Sequence, residues 1–181
     1  MPLRFRKHIR LPDHDYMQGA YFVTLCTRSR RQVLGGIVDA GTTAHMELTD
    51  VGRIVDECWR AIPDHFQHAR LDEMQIMPDH LHAILLLDRR SGSSTVGATQ
   101  WVASTDAADG MGGRPNGPLR GSLGAIIGAF KSETTKRVNL LNGTMGQQLW
   151  QPNYYERIIR EYTGEYGRIA RYIAENPQNW K

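Results

Sequence analysis

His80 and His82 are the side chains in this sequence whose types and spacing point most directly to chemistry. They follow the turn signal Pro78-Asp79 and are the only polar residues in the run 80–87. In an extended strand successive side chains point to opposite faces, so the two imidazoles share one face. Leu81, Ala83, Leu85 and Leu87 fill the other. Two neighbouring imidazoles can hold one divalent ion if a third ligand arrives from elsewhere in the chain. A lone histidine on an apolar strand is an ordinary core or edge residue; it is the pairing that makes a metal site a candidate.

Two other histidine-pair chemistries are excluded by the residues that follow. Histidine-triad nucleotide hydrolases need a third histidine at position 84, where this chain has Ile84. Metallo-β-lactamase-like hydrolases need an aspartate and then a histidine at the positions held by Ile84 and Leu85.

A second group of candidates lies near the C-terminus. Tyr172 and Asn176 are one helical turn apart, flanked by Ile169 and Ile173, so a helix would present them together beside its buried stripe. If that helix crosses the histidine strand, a phenol and a carboxamide would face the two imidazoles, and the Asn176 oxygen could be the third ligand. Taken singly, Tyr172 also reads as an amphipathic packing residue and Asn176 as an ordinary helix end before Pro177.

The elements that must position these residues can be read from periodicity. Residues 1–18 are polar and basic, an extended arm. Residues 20–27 are rich in aromatic and β-branched types and predict a strand. Gly35-Gly36 and the turn at Asp39-Ala40-Gly41 predict a small hairpin within 32–48. Thr49 caps a helix with apolar positions Val51, Ile54, Val55, Cys58, Trp59 and Ile62, ended by Pro63. Residues 69–77 and 80–87 predict an antiparallel pair. Ser122 caps a second helix carrying Leu123, Ile126, Ile127, Phe130 and Val138, in which Gly124 and Gly128 would allow close approach to a neighbour. Residues 153–160 predict a strand, and a last helix runs from about 161 to 175. Strand–helix–strand twice over, plus one C-terminal helix carrying the tyrosine, predicts an α+β, ferredoxin-like (RRM-like) sandwich: one antiparallel sheet with helices packed on it.

At 181 residues the chain suits one domain over 1–181. Its Ser-, Gly-, Thr- and Asp-rich stretch at about 91–118 is expected to be a flexible insertion. The 40% hydrophobic and 23% charged composition fits a water-soluble protein. No apolar run approaches the ~20 residues that span a bilayer, and the start of the chain lacks a signal-peptide core. The expected location is cytoplasmic and nucleoid-associated. Cys26 and Cys58 sit in apolar patterns and read as buried free thiols. The net charge of +3 is mild, but its distribution is clustered: Arg4, Arg6, Lys7 and Arg10; Arg28, Arg30 and Arg31; Lys131, Lys136 and Arg137. Such clusters suit either a solvated surface or a phosphate backbone.

Four motifs together carry a family resemblance. These are Met77-Pro78-Asp79-His80-Leu81-His82, Phe130-Lys131-Ser132, Leu149-Trp150-Gln151-Pro152-Asn153-Tyr154-Tyr155-Glu156, and Tyr172-Ile173-Ala174-Glu175-Asn176-Pro177. With the early run Arg10-Leu11, Asp15-Tyr16 and Gly19-Ala20-Tyr21-Phe22-Val23-Thr24, the chain closely resembles the single-tyrosine HUH transposases, nearest to the REP-associated tyrosine transposases. The resemblance covers nearly the whole chain. Two departures, the 91–118 insertion and Arg157 where relatives often carry histidine, are expected to lie away from the site.

The resemblance implies roles residue by residue. His80 and His82 would be metal ligands, Asn176 the third ligand and Tyr172 the nucleophile, with Mg²⁺ or Mn²⁺ as the ion. Lys131, Arg4, Arg6, Lys7, Arg28 and Arg30 would contact DNA. The implied partner is single-stranded DNA with hairpins, such as repetitive palindromic elements, and the implied product a 5′-phosphotyrosine with a free 3′-OH. Relatives act as monomers or as homodimers that exchange the tyrosine helix. Such chemistry needs help from the site, because a phenol of pKa ~10 is a poor nucleophile at neutral pH. Tyr154, Tyr155, Tyr162 and Tyr166 are rival nucleophiles, but none has an asparagine one turn further on; Tyr154 and Tyr155 could stack on bases. The competing readings are a catalytically silent hairpin-binding protein and a metal-dependent nuclease that forms no covalent intermediate.

Overall fold

A computed structural model describes residues 14–88, 118–160 and 164–180. The basic arm with Arg4, Arg6, Lys7 and Arg10, the insertion up to residue 117, and Tyr162 lie outside the described residues. Strands β1 (Gly19–Cys26), β4 (Ala69–Met77), β5 (His80–Leu87) and β6 (Tyr155–Ile159) form an antiparallel sheet in the order β4-β5-β1-β6. Strands β2 (Gly35–Val38) and β3 (His45–Leu48) pair separately as a hairpin. Helices α1 (Asp50–Arg60), α2 (Ile62–His65), α3 (Leu123–Asn142) and α4 (Glu165–Ala174) complete the chain. This is the expected α+β sandwich, with strands β5 and β1 in the middle of the sheet.

The sheet separates two apolar layers. On one face α1 and α3 bury Val55, Cys58, Trp59, Ile126, Ile127 and Phe130 against Tyr21, Val23, Leu25, Leu81, Ala83 and Leu85. The Trp59 and Phe130 rings meet edge to face at 5.1 Å, an arrangement favoured by the ring quadrupoles. On the other face α4 buries Ile173 against Ala20, Ile84 and Ile159, with Phe22, Leu86 and Ile169 around them. The histidines belong to this second face. Period-two alternation along β5 therefore divides the strand between a packing side and a site side.

Capping fixes where α1 and α3 begin. Thr49 accepts a hydrogen bond from the Gly52 amide at 3.1 Å, and Ser122 accepts one from Ala125, satisfying N–H groups that a helix start leaves open. Pro63 does not end α1. The helix stops at Arg60, and Pro63 sits in the first turn of α2, where its missing N–H costs nothing. Strand β6 is shorter than 153–160. Helix α4 begins later than 161, after Gly164 at φ 63°, and ends at Ala174. Asn176 opens a separate 3₁₀ turn, Asn176–Asn179. Cys58 is buried and Cys26 half-buried, both as free thiols.

A close glycine approach lies in α1, and Gly128 makes none. A side chain at Gly128 would meet open space, whereas a Cβ at Gly52 would lie 2.0 Å from the Leu34 carbonyl oxygen. Gly52→Ala thus sets a helix-propensity gain of about 1 kcal/mol against overpacking of about 1–3 kcal/mol. Urea unfolding is expected to show net destabilisation, while Gly128→Ala, at an exposed helical position, is expected to stabilise.

Candidate active site

The register between β1 and β5 builds the site. Thr24 lies opposite His82 and Cys26 opposite His80, and residues directly opposite in an antiparallel pair share a face. The Thr24 hydroxyl is hydrogen-bonded to His82 Nδ1 at 2.8 Å. Asp79, at the tight turn before β5, places Oδ1 2.6 Å from His80 Nδ1. With both Nδ1 atoms occupied, the two Nε2 atoms converge to 3.0 Å from each other.

That separation suits an N–H···N bond between the rings, and it equally suits two ligands on one ion. Bonds of about 2.1 Å meeting at right angles leave their donor atoms about 3.0 Å apart. Partners that occupy the second ring nitrogen are what orient ligand histidines in metal sites. The pair is 6% and 7% exposed. Burial pushes His82 down to about 3, with His80 and Arg30 adding to the effect. Burial also lowers His80, although Asp79 pulls the other way. Both rings are therefore neutral near pH 7, the form that can ligate.

Among the described residues no third histidine, cysteine, aspartate or glutamate joins the pair in a metal-binding group. A third protein ligand would have to be of another type. Asn176 is 8% exposed and opens the 3₁₀ turn Asn176–Asn179. It lies in the chain between Tyr172 and Trp180, whose rings approach His82 at 5.5 Å and His80 at 5.9 Å. The donor types present, two neutral imidazoles and a carboxamide, are ones that can ligate a divalent ion.

Tyr172 stands at the edge of this group. Its ring meets Phe22 edge to face at 6.3 Å, and it is 50% exposed. It lines a cleft of about 340 Å³ with Phe22, Tyr155, Arg157, Glu165, Arg168 and Ile169. Arg157 thus lies beside Tyr172, not away from it, and pairs with Glu165. The Arg160 backbone N–H, then the Arg157 guanidinium, hold the Glu165 carboxyl below its usual range. Tyr155 lines the same cleft and is 57% exposed. Tyr154 packs against the main core, and Tyr166, in the first turn of α4, against the smaller cluster of the opposite face.

The cationic candidates separate into different places. Arg28 and Arg31 line a polar cleft of about 520 Å³ with Ser29, Gly146, Gln147 and Gln148. Arg30 turns the other way, its Nε 2.9 Å from Asp79 Oδ2. Lys131 is largely enclosed, donating to the Gln151 carbonyl at 2.5 Å and the Pro152 carbonyl at 3.0 Å. Burial lowers its ammonium to about 8. Thr24, Asp79, Phe22 and Trp180 are site neighbours that the sequence reading did not single out. Asp79 was visible only as a turn residue, and Thr24 only as a strand residue, because cross-strand register is not written locally.

Three comparisons bear on this geometry. No protein-family model matches the chain. An uncharacterized protein of Haemophilus influenzae is 31% identical over 181 residues, covering 99% of this chain and 92% of that one. The two belong to one family. A solved structure of a REP-associated tyrosine transposase bound to a REP hairpin has the same fold. Its TM-score is 0.57 at 18% identity, over 92% of this chain and 71% of that one. The family match spans nearly the full length of both chains, so it takes in the sheet bearing the histidines and the helix bearing Tyr172. Among the described residues no helix is long and apolar enough to cross a membrane.

A metal-binding role for the pair would have a direct consequence. An ion present at about 100 times its dissociation constant stabilises the folded chain by about 2.7 kcal/mol, a rise in Tm of about 5–10 °C at this size. Differential scanning fluorimetry with Mn²⁺ is expected to show such a rise in the wild type and none in His82→Ala. An equal rise in both would place the ion elsewhere.

Proposed function

We propose that this protein is a single-tyrosine HUH transposase that nicks and rejoins single-stranded DNA beside a hairpin. The observation that carries the reading is the half-exposed Tyr172, its ring against His82, which is buried beside His80 with the two Nε2 atoms converging. A nucleophile open to a long substrate, beside buried neutral imidazoles, is the arrangement such a reaction needs. The hairpin-bound transposase of the same fold supports the choice of DNA as substrate.

In this reading His80, His82 and Asn176 hold Mg²⁺ or Mn²⁺. The bound ion would supply positive charge at the scissile phosphate. Tyr172 loses its phenol proton and its oxygen attacks phosphorus. The new bond is Tyr172 O–P, the bond broken is P–O3′, and the departing 3′ oxygen takes up a proton. The phosphodiester is conserved as a 5′-phosphotyrosine, so a second 3′-OH can reverse the step with no nucleotide triphosphate. Phe22 limits the swing of the phenol ring, and the Thr24 and Asp79 contacts hold the imidazoles in place, so positioning is largely paid before DNA arrives.

DNA contacts beyond Tyr172 would fall to the cationic cleft that follows β1. Arg28 and Arg31, with the Gln147 and Gln148 amides, offer cationic and amide groups suited to phosphates and base edges. Arg4, Arg6 and Lys7, which lie outside the described residues, would be further cationic contacts to DNA. Lys131 braces the 151–152 backbone beside β1 and acts on DNA through that segment. Tyr155 faces the same cleft as Tyr172 and offers a ring for base stacking.

A labelled single-stranded hairpin, incubated with Mg²⁺ or Mn²⁺, tests the proposal. The wild type and Tyr155→Phe are expected to form a DNA–protein adduct that survives denaturation, and Tyr172→Phe to form none. Cleavage persisting in Tyr172→Phe would point to a nuclease without a covalent step. Hairpin binding with no adduct in the wild type would point to a silent binder. Arg28→Ala is expected to weaken hairpin binding several-fold and to flatten its salt dependence, read by filter binding at several salt concentrations.

A further inference from the structure

We propose that Arg30 is a positioning residue for His80, acting through Asp79. The inference rests on the reading of His80 and His82 as metal ligands. Asp79 has two carboxylate oxygens, and each has a distinct partner: Oδ1 lies 2.6 Å from His80 Nδ1, and Oδ2 lies 2.9 Å from Arg30 Nε. A carboxylate held at one oxygen can still rotate about its Cβ–Cγ bond. Held at both, it cannot, and neither can the imidazole bonded to it. The Asp79 side chain is only 8% exposed, and a buried carboxylate needs a cation or several hydrogen bonds to remain there.

The backbone is shaped to deliver this cation. Ser29 and Arg30 have φ of 57° and 55°, a left-handed conformation that L-residues rarely adopt in succession. Contacts hold it: the Arg30 amide donates to the Thr27 carbonyl at 3.0 Å, and Arg30 Nη1 reaches Cys26 Sγ at 2.9 Å. The consequence is a division within one basic triplet. Arg28 and Arg31 line the outer cleft, whereas Arg30 points back towards the strand end that carries His80. A residue serving only to attract phosphate has no need of that reversal.

The test measures Mn²⁺ binding to the full-length protein by electron paramagnetic resonance of the free ion, and hairpin binding separately in EDTA. Arg30→Gln is expected to weaken Mn²⁺ binding by about 10–100-fold while hairpin binding in EDTA stays within about twofold of the wild type. Asp79→Asn should show the same loss, and the double variant no more than Asp79→Asn alone, since the two act in series. Arg30→Lys, which keeps a cation, should recover part of the affinity. The proposal is overturned if either single variant binds Mn²⁺ like the wild type, or if the two losses add in full. It is also overturned if Arg30→Gln loses hairpin binding in EDTA as Arg28→Ala does, which would make Arg30 a DNA contact. Absence of Mn²⁺ binding in the wild type itself would instead remove the ligand reading on which the proposal stands.

Discussion

Two imidazoles buried side by side are tolerable only if their ring nitrogens have partners, and the rest of this fold is arranged around supplying them. His82 takes Thr24 from the neighbouring strand, and His80 takes Asp79 from the turn before it. What remains is a pair of Nε2 atoms 3.0 Å apart. Burial favours the neutral rings, and the held Nδ1 atoms decide the direction in which the free nitrogens face. A slip of one residue between β1 and β5 would turn Thr24 to the core side and leave His82 without its partner. The site is in this sense a property of strand register, and the large core under α1 and α3 is what enforces that register.

The opposite face carries a lighter construction. Helix α4 is held by a small apolar cluster centred on Ile173, Ile84, Ala20 and Ile159, with Tyr172 at its open margin. A helix seated by so few buried side chains is the element of the site most able to move. Under the proposed mechanism, a nucleophile that must approach a phosphodiester and then carry a strand with it would benefit from that mobility, whereas a ligand pair would benefit from rigidity. The two needs are met on different elements.

Much of this was legible beforehand. The alternation in 80–87 placed the histidines on one face, the caps Thr49 and Ser122 marked two helix starts, and turn residues separated the strands. Those signals are local, so a single sequence carries them. The parts that were not legible depend on pairs distant in the chain: Thr24 with His82, Arg30 with Asp79, and Arg157 with Glu165. The close approach at Gly52 was not legible for the same reason. A Gly-x-x-x-Gly spacing in α3 is a local pattern, whereas the close contact at Gly52 depends on where Leu34 happens to run. The Tyr172–Asn176 spacing predicted one continuous helix, yet the helix ends between them, and Asn176 opens a separate 3₁₀ turn.

The account stands or falls on a covalent bond from DNA to one side chain. Proteolysis of the adduct formed with a single-stranded hairpin, followed by mass spectrometry of the nucleotide-bearing peptide, locates that bond. The account predicts a 5′-phosphate attached to the Tyr172 oxygen and a matching product ending in a free 3′-OH. Attachment at Tyr155, or cleaved DNA with a free 5′-phosphate and no modified peptide, would contradict it.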